Sequence, residues 1–404
     1  MQEQQKYSEV RIAIAGSVDV GKSSLIGVLT RGILDDGRGA ARSHIFKHQH
    51  ERTTGRTSSI TNHFIRHESS DITTLIDLAG HEKYLKTTIN GLERGQADYV
   101  AVIIGANNGI LKMTREHLTI TFALNLPTFI IVTKIDMAPE HVLKQTETAI
   151  IKLFSNKQLT PYIVRTINDL ELMSSSNFPV IEVSSVSGRG LDALRQYMYS
   201  LKSKIDYPLL VECKKPVFII DSTYTIKGIG LVVSGVLRYG CINKGDVLVL
   251  GPFRQATATQ GGFVEVSVRG IHDNFKNSIT QLTAGHGGCL NLKPTSNKAV
   301  IKRSNIRNGA VVVKEPYYVA EFEADIKVLH HATTITKNYQ PTIHCNGMTQ
   351  SARILQMDKE YLRNGDSARV KFQFLYRPAF LELGNVLIFR EGNTKGIGKI
   401  INVL

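Results

Sequence analysis

Residues 16–24 read Gly16-Ser17-Val18-Asp19-Val20-Gly21-Lys22-Ser23-Ser24, which fits the phosphate-loop pattern G-x-x-x-x-G-K-[ST]. Residues 10–15 ahead of it alternate β-branched and small side chains, and residues 22–29 continue as a helix, so the motif falls at a strand-to-helix turn. Glycine at each end lets the backbone curl until successive N–H groups, and the positive end of the helix dipole, point at one oxygen-rich anion. That anion is a phosphate. Asp19, Val20, Gly21 and Ser24 form the cradle, Lys22 brings a charge to the β- and γ-phosphates, and the Ser23 hydroxyl can replace one water on Mg²⁺. Nothing in this loop separates ATP from GTP.

Downstream, apolar periodicity lapses over residues 32–57, where Gly, Arg, His and Ser dominate, and the stretch reads as a long mobile loop. Loops of this length tend to be functional. His44 and His48 are spaced as two imidazoles on one helical face, but no nearby Cys or carboxylate pair completes a metal set with His50. The loop ends in Gly55-Arg56-Thr57-Ser58-Ser59, and a hydroxyl on a loop that reaches the γ-phosphate is a usual sensor of that group. Residues 72–76 form a β-rich run closed by Asp77-Leu78-Ala79-Gly80-His81. A carboxylate at that strand end can hold Mg²⁺ through water, the following glycine lets its N–H approach the γ-phosphate, and His81 can orient an attacking water.

Residues 99–105 and 128–133 are further buried-strand candidates, and helical patterns at 83–92, 114–124 and 139–154 lie between strands. Such alternation predicts a mostly parallel, doubly wound sheet covered on both faces. The strand at 128 runs into Thr133-Lys134-Ile135-Asp136. Asp136 can accept both the N1 and exocyclic N2 hydrogens of guanine, which adenine lacks, while the Lys134 stem packs along the base. The expected ligand is therefore GTP or GDP. Ser184, Ser185 and Val186, after another strand, can offer backbone N–H groups to the guanine carbonyl. Residues 156–178 are polar, rich in Ser and Asn, and read as a surface insertion loop without chemistry.

These elements stand in the order of a regulatory GTPase, and V-D-V-G-K-S, D-x-x-G-H at 77–81 and the E-K-Y-L-K-T-T-I that follows resemble the translational GTPases, the group of elongation factor Tu and elongation factor 1 alpha. S-H-I-F-K-H-Q-H-E-R-T-T-G-R-T-S-S, residues 43–59, is most similar to the branch named for GTP-binding protein 1. The resemblance implies GTP hydrolysis, with Thr57 a switch threonine that joins Ser23 on Mg²⁺ and His81 the catalytic residue that positions water. Two positions depart from the group: Thr133 stands where asparagine is usual, which implies weaker base affinity, and Arg56 replaces an apolar residue that helps wall off the catalytic histidine.

Beyond a candidate linker at 206–216, helical periodicity nearly disappears, and short strands separated by glycine turns predict small antiparallel β-barrels. K-G-I-G-L-V-V-S-G-V-L-R-Y-G-C-I-N-K-G-D at 227–246 resembles the second domain of translational GTPases, and F-R-E-G at 389–392 with the K-G-I-G-K-I after it resembles the end of the third. The expected architecture is an α/β P-loop GTPase domain at 1–206 followed by β-barrels at 207–315 and 316–404.

Composition sets the outer bounds. A chain of 404 residues has room for two or three domains at ~150 residues each. No apolar run approaches the roughly 18 residues of a membrane span, and residues 1–9 are too polar for a signal peptide, so the expected location is the cytoplasm, without a membrane partner. Four cysteines lie far apart with no C-x-x-C spacing, which argues against a disulfide framework or a zinc site. The net charge of +14 favours a polyanionic partner. Aromatics are not interleaved with the basic residues, so contact with the phosphates of structured RNA is expected over base reading or DNA specificity. Together with the resemblance, the reading is a monomeric GTPase switched by the γ-phosphate on the ribosome, a tRNA or another structured RNA. The alternative is a GTPase subunit regulating a metabolic enzyme or an RNA-decay complex.

Overall fold

The computed structural model describes residues 8–43, 45, 61–69, 71–78, 80, 97–155, 159–203, 215–253, 262–296, 301–331, 333–391 and 394–404. Two compact units divide the chain, one over Tyr7–Ile205 and the other including Asp206–Leu404.

The first unit is built on a seven-stranded sheet. Its strands are β1 (Glu9–Gly16), β2 (Thr61–Arg66), β3 (Ile72–Asp77), β4 (Tyr99–Gly105), β5 (Thr128–Thr133), β6 (Thr160–Val164) and β7 (Asn177–Glu182), in the spatial order β2-β3-β1-β4-β5-β7-β6. Only β2 runs antiparallel to its neighbour. β1 and β3 are buried at every position, as strands covered on both faces must be, and this accounts for their near-continuous apolar runs. β1 lies between β3 and β4, the point at which the chain turns from building one side of the sheet to building the other. Ligands of such sheets bind beyond the carboxyl ends of the strands at that point.

Described helices are α1 (Lys22–Arg31), α2 (Ala40–Ser43), α3 (Lys112–Ala123), α4 (Glu140–Ser155), α5 (Ile167–Leu172) and α6 (Leu191–Ser200). α1 and α6 bury Leu25, Ile26, Leu29, Leu191, Leu194 and Met198 against the face of β1 that carries Val10, Ile12 and Ile14. The end of β1 nearest its start is fixed by charge. Arg11 Nη2 donates to Glu9 Oε1 at 2.8 Å, Thr74 Oγ1 donates to the same oxygen at 2.7 Å, and both charged residues are almost wholly buried. The Arg11 N–H also reaches Asp98 Oδ2 at 2.8 Å, and Ser203 Oγ donates to Asp98 Oδ1 at 2.6 Å.

Two sequence expectations change here. The stretch over 156–178, expected to be an insertion loop, contains the edge strand β6 and the helix α5. Pro161 is tolerated because β6 pairs on one side only, with β7. Thr166 and Asp169 form a reciprocal capping box that starts α5, so the serines and asparagines nearby mark turns within a regular βαβ crossover. The loop expected over 32–57 is also more ordered at its start, where α2 forms and Gly27 of α1 abuts Ala41; a Cβ at Gly27 would lie 2.3 Å from the Ala41 carbonyl oxygen. The helix expected at 83–92 lies outside the described residues, as does all of the linker stretch except its last two residues.

In the second unit, β8 (Val217–Ile226), β9 (Gly230–Tyr239), β10 (Cys241–Asn243), β11 (Val247–Phe253), β12 (Val264–Asp273), β13 (Ser278–Ile279), β14 (Gln281–Thr283), β15 (Gly287–Pro294) and β16 (Ile306–Val313) come first. Six of them close in the order β11-β16-β8-β9-β15-β12, with β12 pairing back to β11. A second closed barrel follows, β17 (Glu321–His330), β18 (Thr342–Cys345), β19 (Met348–Met357), β20 (Ser367–Phe374), β21 (Val386–Glu391) and β22 (Thr394–Val403), in the order β17-β20-β19-β18-β21-β22. Alternating side chains fill each interior, Phe218, Val233 and Leu290 in one and Phe322, Phe372 and Phe389 in the other. The barrels touch through Phe380, packed on Val217, Ile219, Val311 and Val313, and through Arg238, whose Nη1 lies 3.3 Å from Glu382 Oε2.

Candidate guanine-nucleotide site

The phosphate end is made where β1 stops. Gly16 has φ 149°, and a Cβ there would lie 2.7 Å from the Ile103 carbonyl oxygen on β4. The loop then turns through two left-handed residues, Asp19 (φ 57°) and Gly21 (φ 89°), before α1 begins at Lys22. Lys22 is buried and its Nζ donates to the Ser17 carbonyl at 2.5 Å, so the ammonium is folded over the loop. Burial pulls its pKa down to about 8, against the attraction of Asp77 and Asp19. An ammonium under that penalty gains when an anion arrives.

Gly80 closes this end. A Cβ on it would lie 2.4 Å from Lys22 Nζ and 2.7 Å from the carbonyl oxygens of both Gly16 and Ser17, so only glycine permits the approach. Ser23 Oγ donates to Asp77 Oδ2 at 3.2 Å, which brings a hydroxyl and a carboxylate together, the hard oxygen donors that suit Mg²⁺. Behind them, His117 of α3 is 1% exposed, and burial with the nearby Lys22 charge takes its pKa to about 3. It is a neutral imidazole at any physiological pH, so it adds no second positive charge beneath the loop.

The base end lies at the carboxyl ends of β5 and β7. Thr133 is buried and its Oγ1 donates to the Val20 carbonyl of the phosphate loop at 2.5 Å. Lys134 is left-handed (φ 59°), and its Nζ donates to the Asp19 carbonyl at 2.7 Å, laying its stem across the cavity. Asp136 is exposed at the rim. Ser184 is buried, and its Oγ accepts the N–H groups of Val186 at 3.2 Å and Ser187 at 2.9 Å, so it shapes the turn from behind while Ser185 and Val186 face the cavity.

The cavity between the two ends measures about 290 Å³. Of the residues expected from the sequence, Asp19, Gly21, Ser24, Thr133, Lys134, Asp136, Ser185 and Val186 line it, while Lys22, Ser23, Asp77 and Gly80 cluster at the phosphate end. Val20 contributes its carbonyl to Thr133. His81 and Thr57 lie outside the described residues, as do His44, His48, His50 and Arg56. One wall was missed altogether: Asp35, Gly37, Arg38, Gly39 and Arg42 line the cavity too. Its only local signal is the turn-forming run D-D-G-R-G.

An elongation factor Tu GTP-binding domain profile matches residues 8–204. The chain is 37% identical over 435 residues to GTP-binding protein 2 of Homo sapiens, covering 99% of this chain and 70% of that one. The chain belongs to the translational GTPases. With GTP-binding protein 1 of Xenopus laevis it shares 39% identity over 433 residues, 98% of this chain, and spans 64% of that relative's length. Among solved structures, a bacterial selenocysteine-specific elongation factor, EF-Sec, superposes with a TM-score of 0.75 at 21% identity over 97% of this chain and 58% of its own, a likeness of fold. The stretch matched by the GTP-binding domain profile is the one that forms the first unit.

Proposed function

We propose that this GTPase is a γ-phosphate-controlled switch that works on the ribosome, a tRNA or another structured RNA in the cytoplasm, as a monomer with domains at 1–206, 207–315 and 316–404. The observation that carries the reading is the meeting of Lys22, Gly80 and the Ser23–Asp77 pair at the phosphate loop, whose Asp19, Gly21 and Ser24 line a cavity together with Thr133, Lys134 and Asp136. Lys22 and the loop amides hold the phosphates and oppose their charge, and Asp136 with Lys134 holds the base. Ser23 and Asp77 fit Mg²⁺, which when bound would neutralise charge on the β- and γ-phosphate oxygens. The Gly80 backbone approaches where a γ-phosphate arrives, so the presence of that group is felt directly by the segment after β3. His81 is assigned the orientation of water and Thr57 the second Mg²⁺ hydroxyl, on the family resemblance.

The +14 charge supports a polyanionic partner. Hydrolysis without that partner is slow and accelerates when the partner completes the site. Steady-state GTP turnover, measured alone and with ribosomes plus tRNA, tests this. Stimulation of at least about tenfold supports it, and turnover indifferent to both, with a tight protein partner copurifying in the presence of a GTP analogue, favours a regulatory subunit instead.

A further inference from the structure

The wall missed by sequence motifs is held in place at the site by two contacts. At one end the Asp35 N–H donates to the Ser185 carbonyl at 2.9 Å, which fastens the segment to the base turn. At the other, Ala41 sits against Gly27 in α1, the helix whose first residue is Lys22. Asp35 and Ala41 are themselves in contact, so the stretch between them, which carries Arg38 and leads into Arg42, is a closed loop held at the cavity's edge, and both arginines line the cavity.

The two carboxylates on the segment hold its shape. Asp35 Oδ1 accepts the Ala41 N–H at 2.9 Å, and Asp36 Oδ1 accepts those of Arg38 at 2.8 Å and Ala40 at 3.0 Å. These amides keep the Asp36 carboxyl below the usual carboxylate range. Neither arginine side chain carries a hydrogen bond or ion pair among the described residues. Arg42 is given its place by Gly39, which has φ 95°; a Cβ there would lie 2.3 Å from Arg42 Nε, so any larger residue would evict the guanidinium.

We propose that Arg38 and Arg42 contact the ribose and α/β-phosphate part of the bound guanine nucleotide, and that the segment carrying them sets how long the nucleotide stays. A guanidinium fork matches phosphate oxygens in pairs, and both guanidinium-bearing residues line the same cavity as Gly21 and Ser24 of the phosphate loop. Because these contacts lie away from the γ-phosphate, they hold GDP and GTP alike. They govern residence, and the γ-phosphate governs shape.

The inference rests on guanine-nucleotide binding by this cavity. It is tested on the full chain by chasing a fluorescent GDP, and a fluorescent non-hydrolysable GTP analogue, from wild type, Arg38→Ala, Arg42→Ala, the double variant and Arg42→Lys. Release of both nucleotides in the double variant is expected to quicken about 10- to 100-fold, the range of a lost charged hydrogen bond, with Arg42→Lys between it and wild type. Gly39→Ala, which keeps both charges, is expected to quicken release in the same direction. Release within about twofold of wild type in the double variant, or acceleration confined to the GTP analogue, overturns the assignment. Both results leave the RNA-dependent switch standing, and an absence of ribosomal stimulation would leave the arginine assignment standing.

Discussion

Thr133 Oγ1 donates to the Val20 carbonyl oxygen at 2.5 Å, joining the end of β5 to the glycine-flanked loop between β1 and α1. Asparagine is usual at this position in the resembling group, and a shorter hydroxyl here makes the bond to the phosphate loop while leaving no amide to face the base. Thr133→Val keeps the volume and leaves the Val20 carbonyl unpaired, at a cost of about 1–3 kcal/mol in denaturant unfolding, and Thr133→Ser restores most of it. GDP release is expected to quicken in the valine variant. Equal stability of the two variants would show that the bond contributes nothing.

Proton linkage at Lys22 follows from its depressed pKa of about 8. The free protein has begun to lose this proton above that pH, and bound phosphates raise the pKa by supplying the missing negative charge. Nucleotide binding therefore takes up a proton above about pH 8, and affinity falls as pH rises, approaching tenfold per unit. Titration calorimetry of GDP in buffers of different ionisation enthalpy, at about pH 7 and about pH 8.5, checks this below the ionisation of guanine N1. Proton uptake absent at the higher pH would contradict the burial of a labile ammonium.

Space at Gly80 admits no side chain. Gly80→Ala places a methyl group against Lys22 Nζ and two loop carbonyls, and the loop and the segment after β3 must part. Single-turnover GTP hydrolysis should fall on the order of 10²-fold, since displacement of about 1 Å at a reacting centre has that effect. Unchanged turnover would mean that this approach plays no part in the reaction.

The Glu9–Arg11 pair is a matter of stability. Arg11→Met leaves the Glu9 carboxylate buried opposite Thr74 without its cation, and should destabilise the first unit by about 3–5 kcal/mol in chemical denaturation. Replacing both residues by apolar ones of similar volume should recover much of that loss. If the single variant matched wild type, the pair would be worth no more than an exposed one.

The phosphate loop, the β3 terminus and the base-reading strand end were legible because each is a short run whose chemistry depends on near neighbours. The two barrels were legible in outline from their glycine-spaced strands. The wall at Asp35–Arg42 was not, because what places it are contacts between residues far apart in sequence, Asp35 with Ser185 and Gly27 with Ala41. β2 was missed since Thr61–Arg66 is partly exposed at an antiparallel edge and lacks the apolar run of its neighbours. β6 and α5 were hidden by polarity: an edge strand opening T-P and a six-residue helix with no buried residue offer little apolar periodicity, although the Thr166–Asp169 cap was readable.

Asp19 and Lys134 face each other over the cavity, joined by the lysine's bond to the Asp19 carbonyl, and both hold a left-handed backbone that ordinary side chains resist. Glycine at either position would relax the empty protein while discarding the groups that shape its cavity. At these two places firmness of the unliganded chain and tightness of grip pull apart, so a variant selected only for heat resistance would drift toward a sturdier molecule that holds its ligand less well.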